Sequence, residues 1–247
     1  MTTTTDRVRI FAIGDLHLPG GSEKPMDIFG AHWEGHFVKI SRDWMSRVQP
    51  HDIILIPGDI SWAMQMEAAK GDLDAIASLP GRKILIRGNH DYWWSSISKL
   101  RGLLPEGMFA LQNDAVLLDG YVFCGSRGWT IPEDENDLEN QRLYQRELMR
   151  MELSLQRGKA LAKSGEPMIA MIHYPPVEVS GQNSPMSELF DAYGVRHVVY
   201  GHLHGAANAN AFKGMVGQVQ YYPVSCDGLG FRLFELPCDG TNVGQGG

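Results

Sequence analysis

Five short segments of this chain place Asp, His and Asn side chains directly after apolar runs that have the length of buried strands. In chain order the segments are Gly14-Asp15-Leu16-His17, Gly58-Asp59, Gly88-Asn89-His90-Asp91, His173 and Gly201-His202-Leu203-His204. Carboxylate, amide and imidazole groups suit Mn, Fe, Zn or Mg rather than an ion that prefers thiolates. If seven of the side chains in these segments are ligands, they are too many for one open metal ion and suit two ions that share a carboxylate. The chain is therefore expected to fold so that several strand ends meet at one site.

Each segment also has a structural explanation when it is taken alone. An Asp-x-His sequence is compatible with a turn and a helix cap, Gly58-Asp59 with a turn after a strand, and His173 with a buried core histidine. His90 is different, because an imidazole among turn residues after a buried strand gains nothing structurally. The occurrence of all five segments, each at a predicted strand end, favours the functional interpretation.

The first half of the chain alternates strands with helices. Short apolar runs bounded by Gly or Pro predict strands buried on both faces over 7–13, 52–56 and 83–86. Apolar residues at helical spacing predict helices over 33–48 and 69–79, each ending at a proline. This order is typical of an α/β arrangement in which helices connect parallel strands.

The second half changes character. Two runs separated by Asp119-Gly120 predict a hairpin, and further strands are predicted over 168–172, 197–200, 219–224 and 231–235. The chain therefore needs two sheets or one large mixed sheet. The polar stretch 133–163 is interpreted as one or two amphipathic helices, and its acidic residues 133–135 suit a helix N-terminus.

Composition limits the classes of function. Apolar residues make up 43% of the 247 residues, charged residues 21%, and the formal net charge is -7. These values are typical of a soluble globular protein without a basic face, so nucleic acid is an unlikely partner. The start of the chain has no signal-peptide pattern, and no apolar run is long enough to span a membrane. No membrane partner is therefore expected.

The cysteines indicate the cellular compartment, and the chain is expected to form one domain. Cys124, Cys226 and Cys238 form no CxxC pair, and buried thiols in a reducing cytoplasm are a simpler interpretation than a disulfide. The predicted location is cytoplasmic. We expect a flexible N-terminus over 1–6, a single domain over 7–238 and a disordered tail over 239–247.

The five segments resemble the motifs of the calcineurin-like metallophosphoesterase superfamily, as found in predicted bacterial phosphohydrolases. Its members carry D-x-H, G-D, G-N-H-D/E, a lone H and G-H-x-H in this order, and the resemblance extends over about residues 8–225. It implies an α/β (α+β) fold in which two mixed β-sheets and flanking helices form a four-layer α-β-β-α sandwich. It also implies one metal ion on Asp15, His17, Asp59 and His204, and a second on Asp59, Asn89, His173 and His202.

The expected activity is hydrolysis of a small phosphodiester or phosphomonoester, with phosphate among the products. Two divalent ions roughly 3.5 to 4 Å apart offset phosphoryl charge and acidify a bridging water, whose hydroxide attacks phosphorus directly. His90 follows the ligand Asn89 without being a ligand, so its imidazole is left to protonate the leaving group. Mn is the expected metal, with Fe, Zn, Ni and Mg as alternatives.

The sequence departs from the superfamily at one position. Many members have G-D-x-x-D, in which the second Asp steadies the catalytic His, but Trp62 stands there in this chain. Asp91 or Glu67 could replace that partner, or His90 could act without one. Ala63 stands where protein serine/threonine phosphatases have Arg, and this disfavours a protein phosphatase.

Substrate recognition is less constrained. Trp62 and Trp129 are candidates for stacking on the substrate, and Arg127 for clamping a second phosphate, although core packing or a surface position explains each equally well. The stretch 133–163 could form a cap over the site or a dimer face. A phosphodiesterase is slightly favoured over a phosphatase. The alternatives are a nuclease, a nucleotide pyrophosphatase and a metal-binding scaffold without turnover, and the oligomeric state is open.

Overall fold

The computed structural model describes residues 7–21, 26–134 and 136–238. The predicted flexible N-terminus 1–6 and the predicted tail 239–247 lie outside the described residues. The strands are β1 (Ile10–Ala12), β2 (Ile53–Ile56), β3 (Arg82–Leu85), β4 (Met108–Ala110), β5 (Asp114–Leu118), β6 (Tyr121–Ser126), β7 (Met168–Ile172), β8 (Val195–Tyr200), β9 (Gly214–Val216), β10 (Val219–Pro223) and β11 (Phe234–Glu235). The helices are α1 (His36–Arg47), α2 (Met66–Ala77), α3 (Ile97–Arg101), α4 (Leu138–Leu161) and α5 (Pro185–Ala192).

The strands form two mixed sheets. In the first sheet the order is β11-β1-β2-β3-β4, and the strands are parallel except for the antiparallel pair of β11 and β1. In the second sheet the order is β5-β6-β7-β8-β10-β9, with antiparallel pairs at both edges. The inner strands of the second sheet are parallel. Each sheet therefore has parallel strands whose carboxyl ends can contribute residues to a common site.

Alternate side chains of each strand enter different apolar layers. Along β2, Ile54 and Ile56 pack outward with Trp44 of α1 and Leu73 of α2, whereas Ile53 and Leu55 face the second sheet. All four residues of β2 are buried for this reason, as expected for a strand covered on both faces. The continuous apolar runs of the sequence thus reflect burial between a helical layer and a second sheet.

The layer between the sheets contains residues of both. Ile84 of β3 lies in the same cluster as Phe123, Met171 and Val199 of the second sheet. On the far side of the second sheet, Met151 and Leu155 of α4 and Phe190 of α5 pack against Val122, Ala170 and Val198. The predicted α-β-β-α sandwich with two mixed sheets is therefore confirmed. Because both sheets share the middle layer, we infer one domain over 7–238.

The described part of the 133–163 stretch contains one helix, α4, which begins later than predicted. Asp137 caps α4 by accepting a hydrogen bond from the Asn140 backbone N–H at 3.0 Å, so Glu133 and Asp134 precede the helix. A short polar side chain at this position satisfies an otherwise unpaired helical N–H, which acidic residues further upstream do not reach. The buried residues of α4 pack on β5 and β6. Over 138–161 the helix is thus an outer layer of the sandwich, which differs from a cap over the site.

Other boundaries also differ from the sequence prediction. The helix predicted over 33–48 begins at His36, because Gly35 has φ 59° and separates it from a 3-10 turn at Ala31–Trp33. The short strands β4 and β9 were not predicted, and the predicted strand 231–235 is reduced to Phe234–Glu235. Cys124 and Cys226 are buried as expected, whereas Cys238 is half-buried.

None of the helices within residues 7–21, 26–134 and 136–238 combines the length and apolar character that a membrane span needs.

Candidate metal centre

The predicted ligands lie on loops that follow parallel strands. Asp15 and His17 follow β1, Asp59 follows β2, Asn89 and His90 follow β3, His173 follows β7, and His202 and His204 follow β8. In α/β sheets, ligands bind in the crevice outside the carboxyl ends of the strands. The seven predicted metal ligands are brought together at this edge, as the distances below show.

The loop backbone is held in uncommon conformations at these positions. Asp15, His17, Asp59 and His202 have φ values of 58°, 45°, 50° and 76°, in the left-handed region that non-glycine residues rarely adopt. Such strain costs on the order of 1 kcal/mol or more for each residue and clusters at functional sites. The tight course of these loops points the ligand side chains toward one another.

Two glycines of the motifs are needed because the chain passes close to the ligands. A Cβ atom at Gly88 would collide with the Asp59 carboxylate, and one at Gly201 would collide with the Asp15 carboxylate. Neither glycine has a positive φ that would by itself require glycine. The glycines of G-N-H-D and G-H-x-H thus provide space for a neighbouring ligand.

One group of ligands surrounds Asp15. The Nε2 atoms of His17 and His204 are 3.1 Å apart, and His204 Nε2 lies 3.6 Å from Asp15 Oδ1. Two nitrogen ligands on one ion, with bonds of about 2.0–2.1 Å, lie about 3 Å apart. His17 Nε2 is also 3.8 Å from Asp59 Oδ2. Asp15, His17 and His204 together offer ligand atoms that lie within 4.8 Å of one another.

A second group surrounds Asn89. Its Oδ1 atom lies 2.6 Å from His173 Nε2 and 2.9 Å from His202 Nδ1. Asp59 Oδ2 is 3.5 Å from His173 Nε2, so this carboxylate faces histidines of both groups. Asp59 therefore lies between the two groups of candidate ligands.

Hydrogen bonds on the outer side of the imidazoles set their tautomers. His173 Nδ1 lies 3.0 Å from the Pro57 carbonyl oxygen, and His204 Nδ1 lies 3.0 Å from Asp227 Oδ1. Both acceptors require a proton on Nδ1, so in the neutral rings the Nε2 lone pair points into the site. This is the form in which imidazole binds a metal ion.

The buried histidines are electrostatically suited to neutral ligation. Burial lowers the pKa of His17 to about 3, and burial also lowers the pKa of His202 to about 4. Burial alone would raise the pKa of Asp15, but its hydrogen bond with His204 and the nearby histidines outweigh this effect and lower it to about 2. At neutral pH these groups are two neutral imidazoles and one carboxylate, which are the protonation states that divalent ions need.

Without a bound cation, Asp59 and His204 hold their protons more tightly than free Asp and His side chains do. Burial raises the pKa of Asp59 to about 7, and the neighbouring carboxylates of Asp91 and Asp15 add to the effect. Burial opposes a charge on His204, but its hydrogen bonds with Asp15 and Asp227 raise its pKa to about 10. A cation bound between these groups would replace those protons. The donor set therefore fits divalent metal ions.

Asp227 is a part of the site that the sequence reasoning missed. Besides His204, it accepts hydrogen bonds from the Gly205 backbone N–H at 2.8 Å and from Asn208 Nδ2 at 2.9 Å. It lies shortly after β10, so its position just past a predicted strand was a signal that could have identified it. Its carboxylate positions His204 rather than facing the other ligands directly.

Asp91, one of the two candidate partners of His90, is held by several hydrogen bonds of its own. It is fully buried, and its oxygens accept from the backbone N–H groups of Gly88 at 2.8 Å and Ile60 at 2.9 Å, and from Trp93 Nε1 at 3.0 Å. These bonds tie the loop after β2 to the loop after β3. Glu67, the other candidate, is exposed in the first turn of α2.

His90 and Trp62 adjoin the ligands. The His90 backbone N–H donates to Asp59 Oδ1 at 2.8 Å, and its ring centre lies 4.5 Å from that of Trp62 and 5.8 Å from that of His17. Trp62 stacks on His17 with a centroid distance of 4.7 Å. The position where the superfamily usually has Asp thus holds an indole packed between a ligand and the candidate acid.

An aromatic cavity of about 310 Å³ opens beside these residues. His17, His90 and His204 line it together with Trp33 and Trp62, and Met26 and Phe29 complete its wall. The cavity combines candidate metal ligands, the candidate acid and an apolar surface. It therefore offers a place for part of a substrate next to the metal centre.

Trp129 and Arg127 lie one layer further from the ligands. The Trp129 ring is 5.4 Å from Tyr174, whose ring is 4.3 Å from that of His202. The Arg127 guanidinium lies 5.0 Å from the centre of the Trp129 ring. Among the three residues predicted to bind substrate, Trp62 is thus placed beside the ligands, whereas Trp129 and Arg127 lie beyond Tyr174.

This chain is similar to one known family and to two solved structures. The model of the calcineurin-like phosphoesterase family matches residues 8–206. A phosphopantetheinyl hydrolase from Mycobacterium tuberculosis has a similar structure, with a TM-score of 0.53 and 15% identity over 94% of this chain and 96% of that one. A protein of unknown function from Aquifex aeolicus, with a TM-score of 0.48 and 15% identity, covers 93% of this chain and 96% of its own. The search of curated proteins finds no match. At this identity the structural likeness concerns the fold alone, but the family match covers most of the chain, which therefore belongs to the calcineurin-like phosphoesterases.

Proposed function

We propose that the protein hydrolyses a small phosphate ester at a centre of two divalent metal ions, with Mn as the expected metal. The carrying observation is the position of Asp59, whose Oδ2 atom faces His17 of one ligand group and His173 of the other. Bound ions would offset the charge of the phosphoryl group and lower the pKa of the attacking water. Asp15, His17, Asp59 and His204 would hold one ion, and Asp59, Asn89, His173 and His202 the other.

His90 is proposed to protonate the leaving group. Its backbone is tied to Asp59, so its position follows that of the bridging carboxylate. His90 lines the aromatic cavity, and an acid must lie within hydrogen-bond reach of the oxygen that it protonates, so the leaving group is proposed to lie in this cavity. Trp62 is proposed to contact that leaving group, because its ring lies beside both His90 and His17.

The finer choices are still predictions. A diester is slightly favoured over a monoester, and a cytoplasmic location remains an expectation from the sequence. A nuclease is disfavoured by the net charge of -7, and the polar stretch over 133–163 disfavours a nucleotide pyrophosphatase that seeks a membrane. A scaffold without turnover has no use for an acid beside its ligands.

The test is turnover of bis-p-nitrophenyl phosphate and p-nitrophenyl phosphate by metal-stripped protein resupplied with Mn. We expect metal-dependent hydrolysis of the diester, loss of activity in Asp59→Asn, and loss of activity without loss of metal in His90→Ala. His51→Ala is the matched control, because His51 precedes β2 at the opposite end of the strand from Asp59. Monoester preference would indicate a phosphatase. Two bound metals without any turnover would favour the scaffold.

A further inference from the structure

A second cavity of about 260 Å³ has a strongly cationic wall. Arg87, Arg127, Arg146 and Arg150 line it, and Glu147 is the carboxylate among its lining residues. Four guanidinium groups and one carboxylate leave an excess of three positive charges. The nearby carboxylate of Asp114 is paired with Arg101, which is not one of the arginines that line the cavity. Such an excess around a concave surface attracts an anion.

The single carboxylate is shared among three of these arginines. Glu147 is 1% exposed, and its Oε1 atom lies 2.6 Å from Arg150 Nη1 and 3.8 Å from both Arg127 Nη2 and Arg146 Nε. Its other oxygen accepts a hydrogen bond from Ser126. Glu147 therefore orders the guanidinium groups without using up their donors, since each guanidinium has five N–H groups.

Arg87 contributes a donor that the protein itself leaves unsatisfied. Its Nε atom is buried and has no hydrogen-bond partner among the described residues. Buried donors are nearly always paired, and this unpaired one belongs to a side chain that lines the cationic cavity. Guanidinium groups form bidentate hydrogen bonds with phosphate, which combines charge with geometry.

Two of the arginines that line the cavity, Arg87 and Arg127, are linked to the candidate metal centre through the backbone. Arg87 precedes Asn89 by two residues, and the Arg127 carbonyl accepts a hydrogen bond from the His173 backbone N–H at 3.0 Å. Between the two sites lie Tyr174 and Trp129, whose rings form a continuous path from His202 to Arg127. The loop after β3 thus carries both Arg87 and the predicted ligand Asn89, whereas Arg127 follows β6 and touches the loop after β7.

We propose that this cavity binds a second phosphate group of the substrate, so that the natural substrate carries a phosphate besides the one that is hydrolysed. This proposal rests on the proposed function and narrows its substrate class. The phosphoryl group would lie at the metal centre, the leaving group beside His90, and the second phosphate on Arg87 and Arg127. The intervening segment of the substrate would lie along Tyr174 and Trp129.

A matched pair of substrates tests the proposal. Thymidine 5'-(p-nitrophenyl phosphate) and its 3'-phosphorylated form differ by one phosphate only. We expect kcat/KM for the 3'-phosphorylated ester to exceed that for the other ester by about tenfold or more in the Mn-loaded protein, as charge-assisted bidentate contacts would give. The ratio should approach one in Arg127→Met and Arg87→Met. Arg101→Met, which changes a neighbouring arginine outside the cavity, should keep the ratio of the unmodified protein.

A binding measurement separates this proposal from the proposed function. Calorimetry of inorganic pyrophosphate with metal-stripped protein reports on the arginine cavity even if no ester is hydrolysed. The Arg146 side chain is half-exposed, so Arg146→Met should fold as the unmodified protein does. We expect this variant to bind pyrophosphate severalfold more weakly, whereas Arg101→Met should not. Equal kcat/KM for the two esters in all proteins, or pyrophosphate binding that is the same in both Arg127→Met and Arg146→Met, would overturn the proposal. Hydrolysis of neither ester, with pyrophosphate binding that depends on Arg146, would overturn the proposed function alone.

Discussion

The Nδ1 atom of His204 lies 3.0 Å from the Asp227 carboxylate, on the side of the ring opposite to His17. This contact holds the imidazole so that its Nε2 atom faces the other candidate ligands. Asp227 is fixed in turn by the Gly205 backbone N–H and by Asn208. Asp227, which belongs to none of the five motifs, therefore orients the second histidine of the G-H-x-H segment.

Asp227→Asn should weaken metal binding. An amide cannot stabilise the Nδ1 proton as a carboxylate does, and loss of such outer contacts typically costs about 10- to 100-fold in metal affinity. The measurement is competition for Mn or Zn with a chelator of known affinity. Asp74→Asn, at an exposed position of α2, is the control and should bind metal as the unmodified protein does. Equal metal affinity in Asp227→Asn and Asp74→Asn would show that Asp227 does not support metal binding.

Metal binding should release protons and strengthen as the pH rises. In the metal-free protein the pKa of Asp59 is raised to about 7 by burial, and the pKa of His204 is raised to about 10 by its carboxylate contacts, which outweigh burial. Both groups therefore hold protons at pH 6, and a cation must displace them, so affinity is lowest on the acid side. Calorimetry at pH 6 in two buffers with different ionisation enthalpies measures the protons released. Identical heats in both buffers would contradict this prediction.

Gly201→Ala should damage the site while leaving the fold intact. The added Cβ atom meets the Asp15 carboxylate, and either the ligand or the loop must move. We expect loss of metal binding and activity with an unchanged circular dichroism spectrum. Gly71→Ala is the matched control, because Gly71 lies inside α2 with open space at its Cβ position. That variant should keep its activity and gain about 0.5–1 kcal/mol in stability.

Asp91→Ala should destabilise the protein although Asp91 is not a predicted ligand. Its carboxylate satisfies buried donors from Gly88, Ile60 and Trp93, and removing it would leave these groups unpaired. Each buried unsatisfied donor costs about 1–3 kcal/mol, so we expect a loss of about 3 kcal/mol in the free energy of unfolding. Urea denaturation measures this loss. An effect no larger than that of Asp74→Ala would show that these bonds add little.

Much of the fold and of the candidate site followed from local sequence. Strands buried on both faces read as continuous apolar runs, and for this reason β2, β3 and β7 were predicted close to their observed positions. The short edge strand β9 and the two-residue strand β11 carry no such run. The sequence therefore did not predict β9, and it predicted a strand over 231–235 that is longer than β11. The start of α4 depended on one cap, Asp137, within a stretch of acidic residues that looked equivalent.

The motifs are local, and parallel strands bring their carboxyl ends to one edge of a sheet, so the positions of the candidate ligands just past the strands could be predicted from the sequence. The contacts that those side chains make depend on tertiary packing. The position of Asp59 between His17 and His173, the support of His204 by Asp227 and the gathering of Arg87, Arg127, Arg146 and Arg150 around Glu147 join segments far apart in the chain. Such contacts depend on the packing of two sheets and on the course of the loops, and no local periodicity encodes them.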